Sequence, residues 1–307
     1  MFDIIKQKIK QYQTGIFEHV VRAGYEKAGL GKKSIHIEFG DISYLGSTIL
    51  RSDAQSDAQS DPVILMLHGF GAGKETWLSF VDQLSPTNPM LIPDLPGHGE
   101  SSWVDELDYS IHSQTNRIHD MLLALQIHKV HVIGHSMGGA IALRLAHLYP
   151  EIVTSLVLIS AAGAEIKEGK LEKIVDFRDL NPLVDVQSRD DYQRLLEICM
   201  NKPPYIPRLV FNLMADKKMA RFDIDKKIFT DIAVDIDQST YLQRLRFPTL
   251  ILWGDRDQVL NVADADYLNE NLIGSHKLIL AGIGHIPMIE DPVLTSKYVS
   301  EFWEKLA

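Results

Sequence analysis

Gly134-His135-Ser136-Met137-Gly138-Gly139 is the stretch on which the reading of this chain turns. Before it lies the β-branched run Val130-His131-Val132-Ile133, and after it the helix-like run from Ala140 to Leu148. A strand, a tight turn and a helix in that order are what a G-x-S-x-G nucleophile elbow requires. The serine's backbone is then forced into a strained turn, and a side chain at Gly134 or Gly138 would collide with the strand or helix packed beside it. Ser136 would project its hydroxyl at the carboxyl edge of a sheet. A glycine-rich turn without chemistry fits the same six residues, so the neighbouring segments have to separate the two readings.

Working outward, apolar strand-like runs alternate with helical stretches from Val63 onward. The strand candidates are 63–67, 90–93, 130–133, 156–159, 249–253 and 277–280. Several are apolar without alternation, as expected for parallel strands covered by helices on both faces. Upstream, 35–39 and 42–45 alternate and are separated by Gly40-Asp41, a hairpin signal. Between Gly163 and about Arg246 no buried-strand pattern occurs; the segment is charged, helical in tone and broken by Asn181-Pro182 and Pro203-Pro204. The expectation is an α/β fold with a mostly parallel, eight-stranded sheet. Residues 31–162 and 247–307 form its core, and 163–246 an inserted helical cap.

Residues 1–30 read as an N-terminal amphipathic helix, with Ile5, Ile9, Tyr12, Ile16 and Val20 at helical spacing and Lys6, Lys8 and Lys10 between them. Packing on the domain is one reading; weak membrane-surface contact through 1–28 is the other. Residues 52–61 repeat Ser-Asp-Ala-Gln without apolar periodicity and are expected to be a solvated loop.

Composition narrows the function. A chain of 307 residues with 45% hydrophobic content can bury a sizeable core, and a formal charge of −10 argues against nucleic acid, whose phosphates need a basic face. The single cysteine, Cys199, excludes an intrachain disulfide framework and is expected to be simply buried. The longest apolar run beside the sheet falls far short of the roughly 20 residues that span a bilayer. The N-terminus lacks a signal-like apolar region, so a cytoplasmic protein is expected, with peripheral membrane contact as the variant.

Four turns follow candidate strands. His68-Gly69-Phe70-Gly71 is a turn that can aim backbone amides into a cavity, which suits stabilisation of a developing oxyanion by the Phe70 and Met137 N–H groups. A phosphate loop fails on spacing, because His68 lies five before Gly73 and Glu75 follows Lys74. The dinucleotide pattern fails because Lys74 stands where its third glycine belongs. Asp94, in Asp94-Leu95-Pro96-Gly97, is read as a turn-forming aspartate rather than a catalytic acid. Trp253-Gly254-Asp255-Arg256-Asp257 and Gly284-His285 complete the set. A serine hydroxyl needs a base, and the base an acid that fixes its tautomer; Ser136, an aspartate at 255 or 257, and His285 can supply these roles.

His68-Gly69-Phe70-Gly71, Gly134-His135-Ser136-Met137-Gly138-Gly139, Trp253-Gly254-Asp255-Arg256-Asp257 and Gly284-His285 together resemble the α/β-hydrolase superfamily from about Ile35 to the C-terminus. Asn181-Pro182-Leu183 and Lys202-Pro203-Pro204-Tyr205-Ile206-Pro207 resemble the cap of the bacterial family V lipases and esterases. The resemblance implies hydrolysis of neutral acyl esters, from small molecules or lipids, by Ser136, His285 and an acid. In that family the acid is the last residue of W-G-x-x-D, which carries over to Asp257; Asp255 remains the alternative. It implies no cofactor, and no metal-ligand spacing is visible. Phe70, Trp77, Met137 and Met288 are candidates for an apolar pocket wall or else for ordinary core. Hydrolysis of carbon–carbon bonds in meta-cleavage products is a second enzymatic reading on the same fold and S-M-G-G run, and a non-catalytic ligand-binding member of the fold is a third.

Overall fold

A computed structural model describes residues 15, 19, 21–47, 61–84, 88–164 and 180–306. Most of the proposed N-terminal helix and nearly all of the 52–61 repeat lie outside the described residues. Within them, 21–27 are helical, and Tyr25 and Ala28 pack against the core.

Eight strands form one sheet in the order β1-β2-β4-β3-β5-β6-β7-β8. They are β1 (Leu30–Ile37), β2 (Gly40–Ser47), β3 (Val63–Leu67), β4 (Met90–Pro93), β5 (Val130–His135), β6 (Val153–Ile159), β7 (Thr249–Gly254) and β8 (Ser275–Leu280). β2 runs antiparallel to both β1 and β4, and every other pairing is parallel. The hairpin differs from the sequence expectation in its turn. Ile37 pairs with Gly40, so Glu38-Phe39 make the turn and Gly40-Asp41 belong to β2. The physical reason lies outside the hairpin: Asp41 O accepts the Ser102 amide at 2.8 Å and Asp41 N donates to Ser102 Oγ at 2.9 Å, which holds Gly40-Asp41 extended against the loop after β4.

The unbroken apolar runs of the central strands serve two layers at once. Val63, Leu65 and Leu67 of β3 and Val130 and Val132 of β5 face one layer, while Ile64, Met66 and Ile133 face the other. The first layer is covered by α1 (Ile111–Ala124) and α2 (Met137–Leu148). The chain between β6 and β7 contributes α3 (Arg189–Cys199), α4 (Arg208–Met219) and α5 (Phe222–Ala233), with no strand among its described residues. After β7 comes α6 (Ala263–Asn271), also on the first layer, and the chain closes with α7 (Pro292–Glu304) on the second.

The helical segment is anchored through its C-terminal end. Asp235 accepts the Ile111 and His112 amides at 2.8 and 2.9 Å, occupying donors of the α1 N-terminus that have no intrahelical partner. Arg144 of α2 donates to Gln238 Oε1 at 2.6 Å.

Candidate active site

The site lies where the strand order reverses. The chain runs from β3 outward to β4 and returns to β5 on the other side of β3, and a crevice forms at the carboxyl ends of strands that diverge in this way. Leu67 of β3 pairs with Gly134 of β5, so the turns that follow the two strands face each other.

Ser136 has φ 52° and ψ −121°, outside the regions that L-residues favour. The elbow is locked from both sides: a Cβ on Gly134 would lie 2.4 Å from Gly138 O, and one on Gly138 would lie 2.3 Å from Leu67 O. Ser136 O accepts from Gly139 N and Ala162 N at 2.8 and 2.9 Å. Met137 is the first residue of α2, so its N–H belongs to the turn that has no intrahelical acceptor.

His285 follows β8 and Asp257 follows β7. His285 Nδ1 donates to Asp257 Oδ2 at 2.8 Å, with both side chains shut away from solvent. The carboxylate's other oxygen accepts the Val259 and Leu260 amides at 2.8 and 2.9 Å, which fixes its plane. With its Nδ1 proton committed, a neutral His285 ring carries its lone pair on Nε2. Asp255 lies elsewhere: its Oδ1 accepts Gly282 N at 2.6 Å.

Three further contacts hold the His285 turn, and none has a sequence signature. His285 N donates to Cys199 O at 2.9 Å. The His135 ring, one residue before Ser136, donates through Nε2 to His285 O at 2.9 Å and so ties the elbow to the turn after β8. Glu290 accepts Gly284 N at 2.7 Å and Lys202 N at 2.8 Å, clamping the segment after α3 onto the same turn. His135 occupies a variable position of the G-x-S-x-G motif, and Glu290 binds only backbone amides, so spacing rules mark neither.

The turn after β3 is fixed by buried polar groups. His68 Nε2 accepts Leu95 N at 2.9 Å, which leaves Nδ1 to donate to Gly69 O at 2.8 Å. Asp94 accepts Lys74 N, Lys74 Nζ and Glu100 N at 2.8, 2.5 and 2.9 Å, the turn-forming role expected of it. Burial pushes His68 below the usual histidine range, and His98 and His135 well below it. The ammonium groups of Lys32 and Lys74, with which Glu100 makes hydrogen bonds, overcome its partial burial and bring its carboxyl down to about 2. The Cys199 thiol is raised to about 12, mainly by burial.

Ser136 opens into a cleft. Phe70 and Met137 line it, and so do Leu183 and, from the helical segment, Phe229, Ile232 and Ile236. Apart from Ser136 and Asp264, every lining residue among those described is apolar or glycine. The pocket expectation for Trp77 and Met288 is corrected: both are fully buried in the second layer, on the opposite face of the sheet. No group of His, Cys, Asp and Glu among the described residues is placed to hold a metal ion, and no helix among them is long and apolar enough to cross a membrane.

Sheet order, elbow and the aspartate–histidine contact define a class, and comparison with known proteins agrees with it. Residues 62–292 match the α/β-hydrolase fold, and the chain belongs to that family. Lipase 3 of Moraxella sp. (strain TA144) is 31% identical over 289 residues, 92% of this chain and 84% of that protein. Monoacylglycerol lipase ABHD6 of Rattus norvegicus is 31% identical over 252 residues, 78% of this chain and 75% of its own. A crystal structure of a membrane phospholipase A, a bacterial virulence factor, superposes with a TM-score of 0.88 at 29% identity, covering 99% of this chain and 95% of that one. Within the family, the protein is a serine hydrolase of the lipase and esterase type.

Proposed function

We propose that the protein hydrolyses neutral glycerol esters of the monoacylglycerol kind, with Ser136, His285 and Asp257 as its catalytic triad and 163–246 as the cap over its acyl site. The carrying observation is that Ser136, at a strained elbow, opens into an apolar cleft at the sheet edge where Asp257 orients His285. His285 Nε2 takes the proton of Ser136 Oγ as the oxygen attacks the ester carbonyl, and Asp257 stabilises the imidazolium. The Phe70 and Met137 amides receive the oxyanion, each contributing on the order of 10²–10³ in rate. His285 then protonates the leaving alcohol, and an acyl group remains on Ser136. Water activated by the same ring releases the acid.

The charge of the cleft supports a neutral substrate. Asp264 is the one ionisable residue among its described lining. A phosphate, or the carboxylate of a meta-cleavage dienoate, would bring an anion beside that acid with no cation in the lining to receive it.

The test is a fluorophosphonate adduct on Ser136 together with turnover of a monoacylglycerol, a phospholipid and a meta-cleavage dienoate. Ser136→Ala should abolish both adduct and turnover, and Asp257→Asn should lower kcat by about 10⁴, far more than Asp255→Asn. Turnover retained by Ser136→Ala, or a folded protein that takes no adduct, would overturn the proposal; preference for the dienoate would overturn the substrate class.

A further inference from the structure

The proposed mechanism leaves unused a buried ionic triad on the underside of the cap. Lys218, near the end of α4, is 8% exposed, and Asp225, in the first turn of α5, is fully buried. Lys218 Nζ lies 2.7 Å from Asp225 Oδ2, and Arg221 reaches Asp225 Oδ1 at 3.1 Å while also donating to the Gly97 carbonyl. Two cations therefore share one carboxylate. Burying such a group costs desolvation that packed apolar residues would not, so its placement calls for a reason.

The surplus cation faces the turn after β3. Lys218 Nζ stands 5.1 Å from the centroid of the Phe70 ring, within cation–π range. A Cβ on Gly71 would lie only 2.8 Å from Nζ, and Gly71 itself turns left-handed at φ 67°. The Phe70 ring is also held edge-on by Phe229 of α5 at 5.3 Å and by His98 at 6.1 Å. The turn's own closing bond, Ala72 N to Gly69 O, is long at 3.3 Å. Backbone pairing alone thus holds this turn weakly.

We propose that Lys218 is a positioning residue for the oxyanion turn: by seating its ammonium between Asp225, the Phe70 ring and Gly71, it makes the direction of the Phe70 amide depend on the docked cap. This rests on the reading of Ser136 as nucleophile and of the Phe70 amide as an oxyanion donor. Lys218 touches neither substrate nor reacting atoms; it acts through Phe70. Its effect therefore belongs to the transition state, where the oxyanion forms, and not to ground-state binding.

The experiment compares wild type, Lys218→Met, Lys218→Arg and Lys218→Met/Asp225→Asn on a short p-nitrophenyl ester and on a trifluoromethyl ketone, whose tetrahedral adduct reproduces the oxyanion. The double variant removes one charge of each sign and leaves Arg221 in place, so it supplies the reading if Lys218→Met does not melt cooperatively. Lys218→Met is expected to lower kcat by about tenfold to a hundredfold, the scale of a small misplacement of a catalytic group, with KM within about twofold. Affinity for the ketone should fall by the same factor as kcat, and Lys218→Arg should restore part of both. Wild-type kcat in cooperatively folded Lys218→Met or in the double variant would overturn the inference, as would a loss carried by KM alone. Ser136→Ala, run alongside, separates the two claims: if it keeps its turnover the triad reading falls, and if it is inactive while Lys218→Met is unaffected, only the role of Lys218 falls.

Discussion

At φ 52° and ψ −121°, Ser136 carries backbone strain of about 1–3 kcal/mol. Its neighbours hold it there: Ser136 N donates to Ile159 O at 3.2 Å, and its carbonyl is fixed by the Gly139 and Ala162 amides. Ser136→Ala and Ser136→Gly both remove the hydroxyl, but only glycine relieves the backbone. Against Ser136→Ala, Ser136→Gly is expected to gain about 1 kcal/mol in urea denaturation, after roughly 0.5–1 kcal/mol is lost to the freer unfolded chain. Equal or lower stability of Ser136→Gly would show that the elbow is not strained. At this scale the sequence is informative where a side chain must stand at a turn of fixed shape, as at Ser136 and His285. Local residue chemistry is silent on Asp257 against Asp255, and only the resemblance to W-G-x-x-D favours Asp257; their hydrogen bonds differ, one going to His285 and one to Gly282 N. It is equally silent on His135 and Glu290, which act on backbone groups.

Elements are legible when burial on both faces leaves a continuous apolar run, as in β3, β5 and β7, and less so where a third segment decides the register, as Ser102 does for the β1–β2 turn. Trp77 and Met288 illustrate a different limit. Each follows closely on a site turn in the chain, yet nothing local says to which face of the sheet the next element turns. Both enter the second layer, Trp77 packing its ring on Phe80 at 5.7 Å. Trp77→Ala is therefore expected to cost about 3–5 kcal/mol of stability and leave KM unchanged. Leu183 is half-buried and lines the cleft. Leu183→Ala should raise KM for an apolar ester about fivefold, the equivalent of ~1 kcal/mol of lost contact, with a smaller effect on stability. Denaturation curves and steady-state kinetics on the two variants should separate them; a KM effect of Trp77→Ala matching that of Leu183→Ala would contradict the two-layer assignment.

Across the whole molecule, histidines that look scattered in the chain are gathered by the parallel sheet at one edge: His68 after β3, His98 after β4, His135 ending β5 and His285 after β8. All four are buried; for His68, His98 and His135 burial lowers the affinity for protons, while in the unfolded chain each of these three titrates near 6.5. As pH falls through that value the unfolded chain takes up protons that the folded one refuses, so stability is full above about 6.5 and is lost toward acid. Three such groups give a limiting slope of about 4 kcal/mol per pH unit. Glu100 acts in the same direction in a lower window: its folded value of about 2 lies below its ordinary 4.5, so its contribution is complete above 4.5 and disappears as pH falls toward 2. Half-exposed as it is, Glu100 adds little beside the histidines. The urea midpoint is thus expected to be flat from pH 8 to 7 and to fall steeply between about 6.5 and 5, with His98→Gln removing about one proton's share of the slope. A midpoint unchanged from pH 7 to 5.5 would mean that the folded edge accepts protons as readily as the unfolded chain, and the three rings could not then be neutral and sealed as their burial requires.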